Sequence, residues 1–268
     1  MSRDGQHLVL IGFGNMGRAL AAGWLKTPVA GRRITVVDPN AEARARAEAL
    51  GLAAVAAAAE IAEPIDVAVL AVKPGELDAV LDTLAPAALY LSIAAGRSLS
   101  EIAARVGPEA AIIRAMPNTP AAIGCGMTGL CANTAAGPAE RESAAALMAA
   151  VGAVEWLDDE SAMDAVTAVS GSGPAYVFLL IECLTRAGID AGLEPGLAAR
   201  LATATVRGAG AYAAAAGVEA STLRRQVTSP NGTTAAALEV LLEGDALRRL
   251  IGAAVAAAAR RSRELGSG

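Results

Sequence analysis

A chain of 268 residues with 54% hydrophobic and 18% charged side chains is no disordered polyelectrolyte, and it is long enough to bury a core without disulfides or a structural metal. A net charge of −5 excludes a broad basic surface for nucleic acid. Aromatic side chains make up only 3%, so packing must rest on small aliphatic residues.

Few groups remain for chemistry. Cys125, Cys131 and Cys183 form no CxxC pair, which argues against a zinc knuckle or a disulfide framework and predicts free thiols in a reducing compartment. No metal site is expected. The only histidine is His7 and the only lysines are Lys26 and Lys73, so no mechanism can draw on either residue type beyond position 73. Residues Met1 to Gly5 lead straight into a strand-like run, which predicts no secretory signal. No apolar run reaches about 18 residues at the density a membrane span needs. A cytoplasmic protein is expected, with neither nucleic acid nor membrane as partner. Arg260, Arg261 and Arg263 read as a solvated last helical turn, and Trp24 and Trp156 as packing residues.

In chain order, His7 to Ile11 predicts a strand and Asn15 to Leu25 a helix. Arg33 to Val37 is β-branched and is stopped by Asp38-Pro39-Asn40. Ala41 to Leu50 is helical and ends at Gly51. Asp66 to Val72 predicts a third strand and Gly75 to Leu84 a helix, with short strands at Leu89 to Ile93 and Ala111 to Arg114. This alternation predicts a parallel sheet with helices on both faces. The pattern changes near Asp158-Asp159-Glu160, beyond which no strand is expected. Helices are expected over 162–169, 175–187, 196–216, 221–227, 234–242 and 245–264, with a break at Ser170 to Pro174. The division expected is an α/β domain over 1–159 and an all-helical domain over 160–268.

Gly12-Phe13-Gly14-Asn15-Met16-Gly17 is a GxGxxG run at a strand-to-helix turn opening that α/β pattern, the context of a Rossmann dinucleotide site. Gly12 permits the tight turn, Gly14 the approach of a pyrophosphate, and Gly17 close packing of helix on strand; the helix N-terminus then faces the phosphates. Asp38 ends the second strand 21 positions after Gly17, where a carboxylate accepts from the ribose hydroxyls and repels a 2′-phosphate. That favours NADH over NADPH, although Arg44 and Arg46 follow closely and a guanidinium can neutralise a phosphate. Lys73 ends the third strand, where it can face cofactor phosphate or a substrate carboxylate, and the small Ala94 and Ala95 leave room for a nicotinamide ring.

Met116-Pro117-Asn118-Thr119-Pro120, Ser170-Gly171-Ser172-Gly173-Pro174-Ala175-Tyr176 and Ser229-Pro230-Asn231-Gly232-Thr233-Thr234, in series behind the glycine run and Ala71-Val72-Lys73-Pro74, resemble the pyrroline-5-carboxylate reductase family over residues 7 to 264. The resemblance implies an N-terminal Rossmann domain, a helical C-terminal dimerisation domain, and dimers that assemble further into decamers. It implies hydride transfer from NAD(P)H to the cyclic imine 1-pyrroline-5-carboxylate, giving L-proline. Gly12 to Gly17 match the phosphate loop, Val72, Lys73 and Pro74 a loop beside the cofactor, Ala94 and Ala95 a further cofactor contact, and Asn118 and Thr119 a loop lining the cleft. Ser229, Asn231, Gly232, Thr233 and Thr234 match the substrate loop, where backbone N–H groups hold the carboxylate and the Thr234 hydroxyl reaches the ring nitrogen. Family members usually carry glycine where this chain has Asn231, a residue that also tolerates left-handed backbone.

The residue inventory favours imine chemistry independently. A ketone needs a proton delivered to a developing alkoxide. An imine nitrogen binds already protonated, so the protein need only position two partners and exclude water. A β-hydroxyacid dehydrogenase also begins with GxGxMG, but its chemistry needs a lysine in the second domain, and none follows Lys73. A non-catalytic NAD(P)-binding module would need no Gly232-Thr233-Thr234. A reductase of a different cyclic imine is the remaining alternative.

Overall fold

The computed structural model describes residues 5–61 and 63–266. The reading of Met1 to Asp4 as leader-free falls outside them. Eight strands form one sheet: β1 (His7–Ile11), β2 (Arg33–Val37), β3 (Ala53–Val55), β4 (Ile65–Leu70), β5 (Ala87–Ser92), β6 (Ala111–Met116), β7 (Gly126–Ala132) and β8 (Gly152–Trp156). Their order is β3-β2-β1-β4-β5-β6-β7-β8. The first six, in the order 3-2-1-4-5-6, are parallel and have Rossmann topology. This departs from the wholly parallel sheet expected, because β7 runs antiparallel to β6 and β8 follows β7. The cause lies in the connector: residues 117–125 hold a single 3₁₀ turn (Thr119–Ile123), too short for the crossover a parallel pairing needs.

Helices α1 (Asn15–Trp24), α2 (Ala41–Glu48), α3 (Leu77–Leu81), α4 (Leu99–Val106), α5 (Pro138–Ala149) and α6 (Met163–Val166) cover both faces. Strand alternation divides the core cleanly. Leu8, Leu10, Val67, Val69, Leu89 and Leu91 face α1, α2 and α5 through Leu20, Trp24, Ala47 and Leu147. Val9, Ile11, Ala68, Leu70 and Tyr90 face α3, α4 and α6 through Leu77, Leu81, Ile102 and Met163. Each fully buried large aliphatic contributes roughly 1.5–3 kcal/mol. Trp24 is wholly buried and its Nε1–H donates to Leu147 O at 2.8 Å, stitching α1 to α5. Trp156 differs from the expectation of a packed ring: it is partly exposed, with the Arg141 guanidinium 5.1 Å from its centroid.

Two compact units result, one running to Ser172 and regaining the chain from Ala258 onward, the other Gly173–Ala257. The break expected at Ser170 to Pro174 is instead a π-helical turn, Thr167–Gly171, in which Ser172 N–H donates to Thr167 O at 2.8 Å. The second unit is helical: α7 (Gly173–Asp190), α8 (Pro195–Ala216), α9 (Ala220–Gln226), α10 (Thr233–Leu242) and the start of α11 (Ala246–Gly266). α7 lies close on α8, where a Cβ on Gly188 would meet Ala198 Cβ at 3.3 Å. Phe178, Leu180, Leu201, Val240 and Leu250 are exposed on these helices. One expectation needs correcting here. Among the described residues, the helical stretch 160–190 is long and apolar enough by length and composition to cross a membrane, with an 18-residue window of mean hydropathy 1.3, because its charges cluster near its ends.

His7 ties β1 to its neighbours at the base of the sheet. Its ring nitrogens lie 3.1 Å from Pro64 O and 3.0 Å from Thr35 Oγ1. Burial, more than the nearby Arg33 charge, pushes its pKa below 6.5, although Pro64 and Asp66 pull the other way. The unfolded chain therefore binds the extra proton first as pH falls below 6.5, and stability declines with it. Urea unfolding across this range is expected to show that decline in the wild type and a shallower one in His7→Gln; equal slopes would contradict it.

Candidate active site

The glycine run sits where the C-terminal edge of the sheet meets α1. Its glycines do three different things. Gly12 has φ 96°, and a Cβ there would stand 2.5 Å from Ala71 O. A Cβ on Gly17 would stand 2.2 Å from Gly12 O, so the helix can lie against the strand only with glycine. A Cβ on Gly14 would meet nothing within 4 Å, so nothing in the fold itself requires glycine there. Gly14 is also the N-cap of α1, whose first turn has no side-chain cap and no acidic residue. An open space before free N–H groups at a helix N-terminus fits a pyrophosphate.

Asp38 is bound into this loop. Its Oδ2 accepts from Phe13 N–H at 2.7 Å and its Oδ1 from Asn40 N–H at 2.9 Å. Each carboxylate oxygen keeps a further acceptor site, so Asp38 can hold the loop and still receive a hydroxyl. Arg44 Nη1–H donates to Asp38 O and Pro39 O, both at 2.9 Å, closing the turn into α2. Arg46 lies half-exposed, 3.8 Å from Glu42.

The loops after β4 and β5 reach the same edge. β4 ends at Leu70, earlier than expected; Ala71 N–H still donates to Ile11 O of β1 at 2.7 Å, and Val72 and Lys73 lie beyond the strand. Lys73 is exposed, and Pro74 opens a 3₁₀ turn to Glu76. After β5, the buried Ser92 Oγ accepts from Ala94 N–H at 3.3 Å; Ala94 is buried and Ala95 half-buried. Asn118, just past β6, uses both ends of its amide within the protein: Oδ1 accepts from Met127 N–H at 2.9 Å, and Nδ2 donates to Ser170 O and Oγ at 3.2 Å. Met116 fills the adjacent space, since a Cβ on Gly171 would lie 2.5 Å from its Cε. The first unit thus brings together Gly12 to Gly17, Asp38, Val72 to Pro74, Ala94, Ala95 and Asn118. Arg97, which joins the loop after β5 to the loop after β4, carries no motif that marks it in the sequence.

The second unit holds the remaining motif. Gly232 N–H donates to Ser229 O at 3.1 Å, making a turn with Pro230 and Asn231 at its centre. Asn231 has φ 57°, the left-handed conformation that glycine would adopt freely and Asn tolerates. A Cβ on Gly232 would stand 2.3 Å from Ser229 Oγ. Gly232 is the N-cap of α10, and no side chain caps that first turn and no acidic residue lies in it. Thr233 is exposed and Thr234 half-buried. The turn therefore presents free N–H groups and a hydroxyl, a set suited to a carboxylate. Among the described residues no group of three or more His, Cys, Asp or Glu is placed to hold a metal.

Two family models match the chain. One, described as pyrroline-5-carboxylate reductase dimerisation, covers residues 160–265. The other, described as NADP oxidoreductase coenzyme F420-dependent, covers residues 7–96. A pyrroline-5-carboxylate reductase of Pseudomonas aeruginosa is 44% identical over 96% of each chain. The solved structure of a pyrroline-5-carboxylate reductase from Coxiella burnetii superposes with a TM-score of 0.90, at 36% identity over 96% of this chain and 97% of that one. The Plasmodium falciparum pyrroline carboxylate reductase with NADP bound gives a TM-score of 0.85, at 29% identity over 99% of this chain and all of that one.

Proposed function

The chain belongs to the pyrroline-5-carboxylate reductase family, and on that premise we propose how its own residues carry the family's reaction. It is an NAD(P)H-dependent oxidoreductase acting on a C=N bond. Bound NAD(P)H supplies the hydride for the imine carbon of 1-pyrroline-5-carboxylate, giving L-proline, the last step of proline biosynthesis. The observation that carries the assignment of parts is the uncapped first turn of α10 behind the Ser229–Gly232 turn.

Free N–H groups of Thr233 and Thr234, with Gly232 at the N-cap and Ser229 and Asn231 framing the turn, hold the substrate carboxylate in this reading. The Thr234 hydroxyl orients the ring nitrogen, and Thr234 is assigned as the catalytic contact. No strong acid is required, because the imine nitrogen enters protonated. Gly12, Phe13, Gly14, Asn15, Met16 and Gly17 cradle the pyrophosphate, Asp38 receives the ribose, and Val72, Lys73, Pro74, Ala94, Ala95 and Asn118 border the rest of the nucleotide.

The cofactor preferred in this reading is NADH. The Asp38 carboxylate supports it, as does the engagement of Arg44 with two backbone carbonyls. Asp38→Asn keeps an acceptor for Phe13 N–H and removes the charge. It is expected to raise the ratio of kcat/KM for NADPH to that for NADH by about ten-fold; an unchanged ratio would mean that Asp38 does not read the ribose.

The protein forms a homo-oligomer. Pairing through residues 160–268 would cover the exposed Phe178, Leu180, Leu201 and Val240, and the assembly proposed is a dimer that builds on into a decamer. The cytoplasm is the proposed location, in keeping with three unpaired cysteines. Steady-state assay with 1-pyrroline-5-carboxylate, NADH and NADPH tests the whole reading. Turnover with proline as product supports it. Nucleotide binding without turnover would point to another cyclic imine, with Asn231 as the first residue to exchange for glycine.

A further inference from the structure

We propose that Arg97 is a positioning residue for the nucleotide site, tying the loop after β5 to the loop after β4; this rests on the assignment of those two loops to the cofactor. Arg97 follows Gly96 directly, and its side chain is only 16% exposed. Its Nη1–H donates to Pro74 O at 3.4 Å, and its Nη2–H donates to Asp78 Oδ1 in the first turn of α3. One guanidinium therefore grips a carbonyl and a carboxylate on the β4 side, while its own backbone belongs to the β5 side. Its buried Nε lies 3.8 Å from Glu101 and makes no hydrogen bond.

A buried guanidinium with an unsatisfied N–H is costly, and it persists where the surroundings fix its place. They do so here. Gly96 has φ 77°, and a Cβ on it would meet Gly266 N at 3.1 Å, so the last turn of α11 closes on the far side of the same loop. The loop carrying Ala94 and Ala95 is thus held between α11 and the Arg97 clamp. Holding its spacing from Val72 to Pro74 prepares the site before the nucleotide arrives and lowers the ordering cost of binding.

Arg105 supplies the control. It pairs with the same Asp78, at 3.2 Å, and with Asp82, also at 3.2 Å, but from α4 onto α3 and without touching either loop. The experiment compares full-length wild type, Arg97→Met, Arg97→Lys and Arg105→Gln by calorimetric titration with NAD⁺ and NADP⁺, thermal melting, and steady-state kinetics. Arg97→Met is expected to weaken nucleotide Kd about ten-fold, with the larger share of the kinetic loss in cofactor KM rather than kcat. Arg97→Lys reaches Asp78 without Pro74 and should lose about three-fold. Arg105→Gln should keep the wild-type Kd. Equal losses in the Arg97 and Arg105 variants, or a lowered Tm with unchanged Kd in either Arg97 variant, would overturn the proposal. Should Arg97→Met not fold, wild-type affinity in Arg97→Lys would overturn it as well. Wild type that binds nucleotide but reduces no cyclic imine would instead overturn the functional reading, and the Kd comparison would still stand.

Discussion

Gly14→Ala is expected to weaken NAD(P)H binding about 100-fold while lowering Tm by no more than about 4 °C. The two effects separate because the added methyl would enter open space, touching no protein atom within 4 Å. The only structural cost is a poorer N-cap for α1, about 1 kcal/mol. A pyrophosphate, however, would have to approach the backbone through that methyl. Gly17→Ala should behave in the opposite way. Its methyl would press on Gly12 O at 2.2 Å, so α1 must shift and Tm must fall whether or not nucleotide is present. Calorimetry with NADP⁺ and thermal melting distinguish the two. Near-wild-type affinity in Gly14→Ala would remove the pyrophosphate from this loop.

Thr234→Ala is expected to lower kcat by about 10- to 100-fold and to leave nucleotide affinity unchanged. The side chain is half-buried in the first turn of α10, and no hydrogen bond from it caps that turn. Its loss should therefore spare the helix and remove a contact to the reacting nitrogen. Thr234→Ser keeps the hydroxyl and should keep most of the rate. Comparable losses in both variants would place the effect in packing of the methyl and leave the hydroxyl without a role. A fall in nucleotide affinity with unchanged kcat would move this turn out of the substrate site altogether.

The parts of the fold that could be read along the chain are those written in local pattern. β1, β2, β4, β5 and β6 are apolar runs bounded by turn residues, and the glycine run sits at a strand-to-helix turn whose neighbours are themselves legible. β3, β7 and β8 gave no such signal. β3 has three residues. β7 and β8 contain Gly126, Gly129 and Gly152, each placed by a close neighbour that only the folded chain reveals: a Cβ on Gly129 would lie 2.9 Å from Val166 Cγ1, and one on Gly152 would collide with Gly126. The reversal at β7 follows from connector length, which matters only once its flanking strands are recognised. The π turn at Thr167–Gly171 adds one residue to a helix and leaves no periodic trace.

The candidate site divides in the same way. Gly12, Gly14, Gly17 and Asp38 are visible through spacing, and the Ser229 to Thr234 turn through its motif. The second task of Asp38, accepting from Phe13 N–H, depends on a strand pairing across 25 positions. The hold of Asn118 on Ser170 spans 52 positions, and that of Arg97 on Pro74 and Asp78 joins the loop after β5 to the loop after β4 and the start of α3. Such links depend on the sheet being assembled, so no local pattern announces them.

The most direct test of the central claim is isotope transfer. Wild-type protein is incubated with 1-pyrroline-5-carboxylate and cofactor dideuterated at C4 of the nicotinamide, and the product is read by mass spectrometry and NMR. The account predicts L-proline with one deuterium on ring carbon 5, the former imine carbon. Proline without deuterium at that carbon, or no proline from a protein that binds both substrate and nucleotide, would contradict it.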